Sequence, residues 1–375
     1  MRVKDWTKGF GLVVLAAAPG CKKQDLGPNR ESGYVVGPTN DIYNVGESGS
    51  EGAVQIKELS QEAVNGTVLI TTRLPDKRVK FCSGTLITAD SPEGGLRVLT
   101  NHHCFAETDA DDKATRATLP EACTETQVYF GFFTGQTQSS TSVSCRAGSL
   151  RTNFEGDIAV FELASAPPEK YRPLALWDGE DAPEGRVAGI VHYPDTEENM
   201  ASPPEGGPKL PTASVTVNDC RVTGLFAISE WDLDRTLPYS LRHTCDLIHG
   251  SSGSALIDLK TSTILGVNWG GIKISYDAGT RTNNVATRAS YVAAFLAGTT
   301  GEMVKQAEGK RKDADLQAAN KDENVGQKAK ESVAKARKAC GAVAGSVSTS
   351  LILLLGGLAL PFFSLRRMRK RNARR

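Results

Sequence analysis

Residues 250–256 read Gly250-Ser251-Ser252-Gly253-Ser254-Ala255-Leu256, a run of small residues that leads into an apolar segment. Two glycines three positions apart allow backbone conformations that other residues rarely adopt. The stretch therefore predicts a tight loop that presents Ser252 just before a strand. A Gly-x-Ser-Gly turn is common by itself, so its meaning depends on the sequence around it.

Outward from this loop, residues 54–297 consist of short apolar runs separated by Gly, Pro, Asp and Asn. Many short strands with turn residues between them are typical of an all-β sandwich or a pair of barrels. The final run, residues 289–296, predicts one closing helix. The strand-like runs are 67–71, 84–87, 96–99, 128–130, 158–161, 187–191 and 264–267.

Two further motifs lie upstream of the loop, Val98-Leu99-Thr100-Asn101-His102-His103-Cys104 and Gly156-Asp157-Ile158-Ala159-Val160. A serine hydroxyl is a weak nucleophile at neutral pH, so it needs a base, and that base needs an acceptor that fixes its tautomer. Serine, histidine and aspartate supply these three groups. Taken singly, either histidine could be structural, and Asp157 could be a turn acceptor.

Together with Phe81-Cys82-Ser83-Gly84-Thr85-Leu86-Ile87, the order His, Asp, Ser resembles the trypsin-like serine peptidases. Within them it resembles the bacterial branch of lysyl and glutamyl endopeptidases, over residues 54–298. The resemblance implies an all-β fold of two six-stranded antiparallel β-barrels, as in chymotrypsin, with a short C-terminal helix. It also implies hydrolysis of a polypeptide substrate through an acyl-enzyme, with no cofactor and no metal.

The resemblance assigns a role to each motif. Ser252 is the expected nucleophile, His103 the base and Asp157 the group that orients the base. The backbone N–H groups of Gly250 and Ser252 are the expected oxyanion donors. We expect His103 rather than His102 to be the base, because in this family the base immediately precedes the cysteine.

Two departures and one match concern the surroundings of the nucleophile. Ser251 stands where animal members have an Asp that receives a new N-terminal ammonium, so that ion pair is not expected. Ala255 replaces the usual proline. Asn268-Trp269-Gly270-Gly271 resembles the strand that binds the substrate backbone, so Asn268, Trp269 and Gly270 are predicted to bind substrate by β-augmentation.

Residue preference is predicted from Asp246, which lies six residues before Ser252. Trypsin-type members place a carboxylate at this offset, where it pairs with a basic side chain, so cleavage after Lys or Arg is expected. Alternatively, Asp246 only caps a turn after Cys245. In lysyl-type relatives the selecting Asp comes later, where Asp277 is the candidate, whereas Arg281 would favour an acidic side chain.

Six cysteines lie within the predicted domain. An even number in an exported domain indicates disulfides, and we expect sequential neighbours to pair. A zinc site is the competing interpretation, but no Cys-x-x-Cys or His-x-x-x-His spacing occurs. The expected bridges are Cys82–Cys104, Cys123–Cys145 and Cys220–Cys245.

The N-terminus has the layout of an export signal. Residues 1–21 combine early basic residues with an apolar run, which predicts a secretory signal. Ala18-Pro19-Gly20-Cys21 resembles a bacterial lipobox, in which Cys21 would be acylated. An ordinary signal with an unmodified Cys21 is the alternative. Residues 22–53 are rich in Gly, Asn, Ser and Glu and predict a flexible tether.

The C-terminus predicts a membrane anchor. Residues 299–339 are rich in Lys, Glu, Asp and Ala and predict a charged stalk. Residues 340–365 contain no charged residue and are long enough for a transmembrane helix, and the basic tail 366–375 should stay cytoplasmic. A buried core helix is the alternative. The layout also resembles C-terminal sorting tags of Gram-negative bacteria, which are cleaved near the Cys, here by a sorting protease.

Charge narrows the classes of function. The chain has 44 Lys and Arg against 43 Asp and Glu, but residues 365–375 hold seven of the basic groups, which leaves the remainder at −6. A body that binds nucleic acid is therefore not expected. The sequence predicts an exported serine endopeptidase, anchored in the periplasm or at the cell surface or released by tail cleavage. The alternatives are a non-catalytic binding module of the same fold and a structural surface protein.

Overall fold

The computed structural model describes residues 29–31, 41–45, 56–88, 96–111, 113–179, 182–276 and 279–341. Residues 1–310 and 311–375 form two compact units. The strands are β1 (Asn29–Glu31), β2 (Tyr43–Asn44), β3 (Thr67–Arg73), β4 (Val79–Thr88), β5 (Leu96–Thr100), β6 (Ala106–Thr108), β7 (Ala114–Thr118), β8 (Thr126–Phe130), β9 (Thr141–Ser144), β10 (Arg151–Asn153), β11 (Ile158–Glu162), β12 (Ala188–His192), β13 (Met200–Ala201), β14 (Leu210–Pro211), β15 (Ser214–Thr216), β16 (Val222–Leu225), β17 (Ser240–His243), β18 (Ala255–Asp258), β19 (Ile264–Tyr276) and β20 (Gly279–Arg288).

The first large sheet has seven antiparallel strands in the order β10-β11-β5-β4-β3-β8-β9. Successive side chains of a strand point to opposite faces, and strands β3 and β11 are buried on both of them. Val68 and Val98 pack in the interior of this sheet. Their neighbours Leu69 and Leu99 pack in a second core that also contains Val191 of the other sheet. This shared core joins the two sheets.

The second large sheet has nine strands. Eight follow the order β16-β17-β20-β19-β18-β12-β15-β2, and β1 pairs with β19. The β19–β20 register shifts between Asn268 and Gly270, which makes Trp269 a bulge in β19. A bulge bends a strand locally and re-aims its side chains, and such features recur next to active sites.

The mostly β architecture agrees with the predicted class, but the strand counts of seven and nine differ from six and six. Part of the difference comes from residues 22–53, for which the sequence predicts only a tether. There β1 pairs with residues Gly271–Lys273 of β19, and β2 pairs with Ser214 and Val215 of β15. Both add backbone hydrogen bonds to exposed strand edges. The remaining described strands form two small sheets, β6-β7 and β13-β14.

In the described part of the chain, three α-helices accompany the sheets: α1 (Gln61–Gly66), α2 (Ala289–Ala297) and α3 (Thr300–Gly341). The predicted closing helix is confirmed as α2, which buries Tyr291, Val292 and Phe295. It is followed by Gly298, which has a φ of 75°, and a glycine in this left-handed conformation commonly ends a helix. In the first unit Met303 and neighbouring residues of α3 pack against the shared core. Most described α3 residues from 311 onward are exposed and polar.

Several sequence predictions lie outside the described residues. These are the signal at 1–21 with Cys21, the basic tail 366–375, and residues 342–365 of the expected membrane segment. Cys340 and Gly341 are the last two residues of α3. No helix in the described part of the chain is long and apolar enough to cross a membrane.

Candidate active site

His103 and Asp157 form a hydrogen-bonded pair at one end of the first sheet. His103 lies in a 3-10 turn, His102–Cys104, directly after β5. Its Nδ1 is 2.8 Å from Asp157 Oδ2, and its backbone N–H donates to Asp157 Oδ1 at 2.9 Å. The Asp157 side chain is fully buried, whereas that of His103 is 21% exposed. The carboxylate therefore fixes both the ring and the backbone of a histidine that solvent can reach.

A tight hairpin turn between β10 and β11 positions Asp157. Asp157 has a φ of 51°, in the left-handed region, which Asp adopts more readily than most residues. The turn is held by Asn153 Oδ1, which accepts the Gly156 N–H at 2.7 Å. Asn101 Nδ2 donates to the Asp157 carbonyl at 2.7 Å, so β5 supports the same turn.

His102 has different surroundings. It is fully buried, its Nε2 lies 2.7 Å from the Thr115 carbonyl oxygen, and its ring meets Phe154 edge to face at 5.6 Å between centroids. Of the two adjacent histidines, His103 is the one that contacts Asp157. His102 has the contacts of a structural residue.

The turn that carries Ser252 lies against the same end of the first sheet. The Ser252 carbonyl accepts the Ser83 N–H of β4 at 2.8 Å. Thr100 Oγ1, at the end of β5, donates to the Ser83 carbonyl at 2.7 Å. The turn of Ser252 is therefore bonded to β4, and β4 is bonded to the end of β5 just before the 3-10 turn of His103.

Two glycines give this turn its shape. Gly250 and Gly253 have φ values of 89° and 86°, where side chains with a Cβ are strained. A Cβ at Gly250 would also lie 2.7 Å from the Asp195 backbone nitrogen. Within the turn, the Ser251 N–H donates to the Ile248 carbonyl at 3.1 Å. These contacts explain the small residues of the motif.

All three predicted disulfides are confirmed: Cys82–Cys104, Cys123–Cys145 and Cys220–Cys245. The sulfurs of Cys82 and Cys104 also lie within 4.8 Å of a His103 ring nitrogen. Because each of these sulfurs is bonded to the other, neither offers a thiolate to a metal. The first bridge instead ties β4 to the turn that carries His103.

The predicted substrate strand lies next to the serine turn. The Asn268 carbonyl accepts the Gly253 N–H at 2.7 Å, and the Asn268 N–H donates to Ser254 at 2.9 Å. The bulged Trp269 is buried, and its Nε1 donates to Ser240 Oγ at 2.9 Å. Gly270 follows in β19. The structure thus joins Asn268–Gly270 to the turn of Ser252.

Of the residues expected to select the substrate side chain, the structure describes the side chain of Asp246. Asp246 is only 2% exposed, and its Oδ2 accepts the backbone N–H of Asp41 at 2.8 Å. This bond anchors the segment that leads into β2. Asp277 and the side chain of Arg281 lie outside the described residues.

Two charged or ionisable residues near the site were missed by the sequence analysis. Lys80 of β4 donates to the His103 carbonyl through Nζ. Burial lowers the pKa of Lys80, and the charge of Asp157 opposes that shift. His192, at the end of β12, is fully buried and contacts Ser251. The apolar run 187–191 could have signalled a buried histidine at 192, whereas Lys80 carries no sequence signal.

A cleft of about 100 Å³ lies elsewhere, between the 225–240 region and the first turns of α3. Its lining includes Phe226, Trp231 and Arg288. His103, Asp157 and Ser252 are not among its lining residues, so it is separate from the site described above.

Comparison with known proteins gives one matching family model and several solved structures of low sequence identity. Residues 82–267 match the model of the trypsin-like peptidase domain, and the mostly β fold is consistent with a chymotrypsin-like architecture. A Glu endopeptidase structure is 18% identical, with 71% of this chain and 99% of that chain covered and a TM-score of 0.43. The Rv3671c protease of M. tuberculosis is 19% identical, with 70% and 91% covered and a TM-score of 0.39. A serine endoprotease from Yersinia pestis is 13% identical, with 68% of each chain covered and a TM-score of 0.40. No curated protein matches the chain.

Proposed function

We propose that this chain, which carries a trypsin-like peptidase domain at residues 82–267, is a serine endopeptidase that acts through Ser252, His103 and Asp157. The observation that supports the proposal is the pairing of His103 Nδ1 with the buried Asp157 carboxylate at 2.8 Å, together with the hydrogen bond between the Ser83 N–H of β4 and the Ser252 carbonyl. The three groups have the chemistry that acyl transfer needs.

In the proposed reaction, Ser252 Oγ attacks the carbonyl carbon of the scissile peptide bond while His103 Nε2 takes the serine proton. Asp157 accepts the Nδ1–H of His103 and so stabilises the imidazolium that forms. His103 then gives the proton to the leaving amine, and the acyl group remains on Ser252 as an ester. Water hydrolyses this ester with His103 acting again as base.

The negative oxygen of the tetrahedral intermediate is stabilised by the backbone N–H groups of Gly250 and Ser252. Each such donor contributes about 3 to 4 kcal/mol in comparable enzymes. This assignment is supported by the backbone hydrogen bonds of the turn, which are donated by the N–H groups of Ser251, Gly253 and Ser254 rather than by those of Gly250 and Ser252.

Substrate would bind as an added strand. Extended peptides pair with an exposed strand edge, where backbone bonds give affinity and side-chain pockets give selectivity. Asn268 contacts the Ser252 turn directly, so a peptide paired along Asn268, Trp269 and Gly270 would bring its scissile bond to Ser252.

We expect cleavage after Lys or Arg if Asp246 faces the substrate side chain, although Asp246 also anchors Asp41. Profiling with a peptide library tests this preference. The Asp246→Asn variant should lose the preference for basic residues. An unchanged preference in that variant would move the role to Asp277, and a preference for Glu or Asp would reject the basic pocket.

The proposed setting is outside the inner membrane, with the catalytic unit held by residues 340–365, by an acylated Cys21, or by both. A chain that lacks residues 340–375 should leave the membrane fraction once Cys21→Ala is added. Identical fractionation of the full chain, the truncation and the double change would contradict this anchoring.

Peptide hydrolysis by the Ser252→Ala variant tests the proposed activity. The change removes one hydroxyl and no core volume, so the fold should persist while hydrolysis falls by several orders of magnitude. Near-normal hydrolysis would reject the assignment. A wild-type chain that folds but hydrolyses no peptide would favour the non-catalytic binding module or the structural surface protein.

A further inference from the structure

A buried hydrogen-bonded chain lies directly behind the turn of Ser252. His192 is fully buried at the end of β12, and its Nδ1 is 2.6 Å from Ser251 Oγ. Its Nε2 lies 3.5 Å from Thr216 Oγ1 of β15, at the outer limit of a hydrogen bond. The residue next to the proposed nucleophile is thus held by a histidine of the second sheet.

The bonds of Ser251 and Thr216 assign the protons of His192. Ser251 Oγ accepts the Ile248 N–H at 3.2 Å, and we assign its own hydrogen to the contact with His192 Nδ1. The proton of the neutral ring then resides on Nε2 and faces Thr216 Oγ1, whose hydroxyl donates to the Asp246 carbonyl at 3.4 Å. Burial lowers the pKa of His192 to about 3, so the ring accepts a hydrogen bond at neutral pH.

This series of hydrogen bonds ends on the backbone of the segment that carries the proposed oxyanion donors. Ile248 and Asp246 are both in the segment 246–252. A second tie acts on the same segment from the first sheet, where Ser83 Oγ donates to the Gly250 carbonyl at 2.9 Å. The Tyr193 N–H, adjacent to His192, donates to Ser83 Oγ at 2.9 Å. The N–H groups of Gly250 and Ser252 thus lie on a backbone fixed from two sides.

We propose that His192 is a positioning residue, which holds the oxyanion donors of Gly250 and Ser252 in place through its bond with Ser251. This inference rests on the proposed function. It gives Ser251 a role that differs from the ion pair of the animal peptidases, because a neutral hydrogen bond needs no new N-terminal ammonium. The full chain would therefore have an ordered oxyanion site without cleavage near its N-terminus.

Kinetics of peptide hydrolysis by full-length variants test the proposal. Ser251→Ala and His192→Leu should each lower kcat about 10- to 100-fold, less than the loss of a whole oxyanion donor, with KM changed less than about threefold. The double variant should be no worse than the poorer single variant, because both changes remove the same bond. His192→Asn places an acceptor oxygen near the position of Nδ1 and should restore part of kcat.

Thr72→Val is the matched control. It removes a buried hydroxyl pair with Thr126 at 2.9 Å in the first sheet, away from the Ser252 turn. It should lower the midpoint of denaturant unfolding, as loss of a buried hydrogen bond does, and leave kcat unchanged.

The outcomes separate this inference from the proposed function. An active wild-type chain with folded Ser251→Ala and His192→Leu variants at full kcat would overturn the inference and leave the peptidase assignment intact. A rise in KM with kcat unchanged would also overturn the inference. If His192→Leu does not fold, the kcat values of Ser251→Ala and His192→Asn test the inference instead. Activity that survives Ser252→Ala would overturn the proposed function and this inference with it.

Discussion

Lys80 places a positive charge beside the His103–Asp157 pair. Its ammonium donates to the His103 carbonyl, and burial lowers its pKa while the Asp157 carboxylate raises it. Like charges disfavour one another, and the effect is stronger where water is partly excluded. A protonated His103 ring would therefore be less stable next to Lys80 than next to a neutral residue.

Removal of this charge should shift the pH profile of hydrolysis. In a Lys80→Met variant, His103 should accept a proton at higher pH, so the acid limb of kcat/KM should move upward by up to about one pH unit. Lys80→Arg keeps the charge and is the control, with no shift expected. If the acid limb of kcat/KM lies at the same pH in the wild type, Lys80→Met and Lys80→Arg, this effect of Lys80 is contradicted.

The residues that carry chemistry differ in how far sequence alone could find them. Ser252, His103 and Asp157 could be singled out because acyl transfer needs those three types of side chain. Lys80 and His192 could not be assigned, because their contacts depend on how β4 meets the turn of His103 and how β12 meets that of Ser252. These arrangements follow from tertiary packing and leave no local pattern.

Two of the disulfides differ in the elements that they hold in place. Cys82–Cys104 joins β4 to the 3-10 turn of His103, whereas Cys123–Cys145 lies elsewhere in the first sheet. Both bridges have a sequence separation of 22 residues, so their loss should relax the unfolded chain by similar amounts. The two bridges therefore form a matched pair for experiment.

Replacement of either cystine by two serines should cost about 2 to 5 kcal/mol of stability. Only the Cys82→Ser/Cys104→Ser variant should also lose kcat, because the turn of His103 loses its tie to β4. Thermal unfolding and peptide kinetics of both variants check this. Equal kcat values in the two folded variants would show that the first bridge does not position His103.

Strand β1 occupies an edge that an extended substrate would also use. It pairs with residues Gly271–Lys273 of β19, directly after the proposed substrate-binding residues Asn268–Gly270. Arg30→Pro removes a backbone N–H and should prevent this pairing. The KM of long peptides should then fall, while that of a single-residue ester should stay the same.

Arg30→Ala keeps the backbone N–H and is the control for the side chain. A KM that falls equally for long and short substrates, or that falls equally in Arg30→Ala, would argue against competition between β1 and substrate for this edge.

Element boundaries were predictable where the chain repeats a strong local pattern. The closing helix matches α2 because its apolar residues and Gly298 mark both its face and its end. Strands β1 and β2 were missed because they are short, polar and stabilised by backbone bonds to distant strands. Such pairing depends on available edges rather than on side-chain alternation.

Two of the buried histidines should make the first unit as a whole sensitive to acid. Burial lowers the pKa of both His192 and His243 to about 3. Below an ordinary pKa near 6.5, the unfolded chain takes up these protons and the folded chain does not. Their contribution to stability is therefore complete above about pH 6.5 and is lost as the pH falls toward 3.

Denaturant unfolding between pH 8 and 5 tests this linkage. Stability should begin to fall near pH 6.5, with a slope that approaches about 1.4 kcal/mol per pH unit for each histidine. Because Asp and Glu remain largely ionised above pH 5, the histidines dominate this window. His192→Asn should reduce the slope, and a slope that is unchanged in this variant would show that His192 does not contribute.

The most direct test of the central claim is covalent labelling of the folded, full-length chain with a fluorophosphonate, followed by mass spectrometry of the modified peptide. The account predicts one adduct on Ser252, which disappears in Ser252→Ala and forms much more slowly in His103→Ala, because the serine then lacks its base. No adduct on a folded chain, or an adduct on another serine that persists in Ser252→Ala, would contradict the claim that Ser252, His103 and Asp157 form a catalytic site.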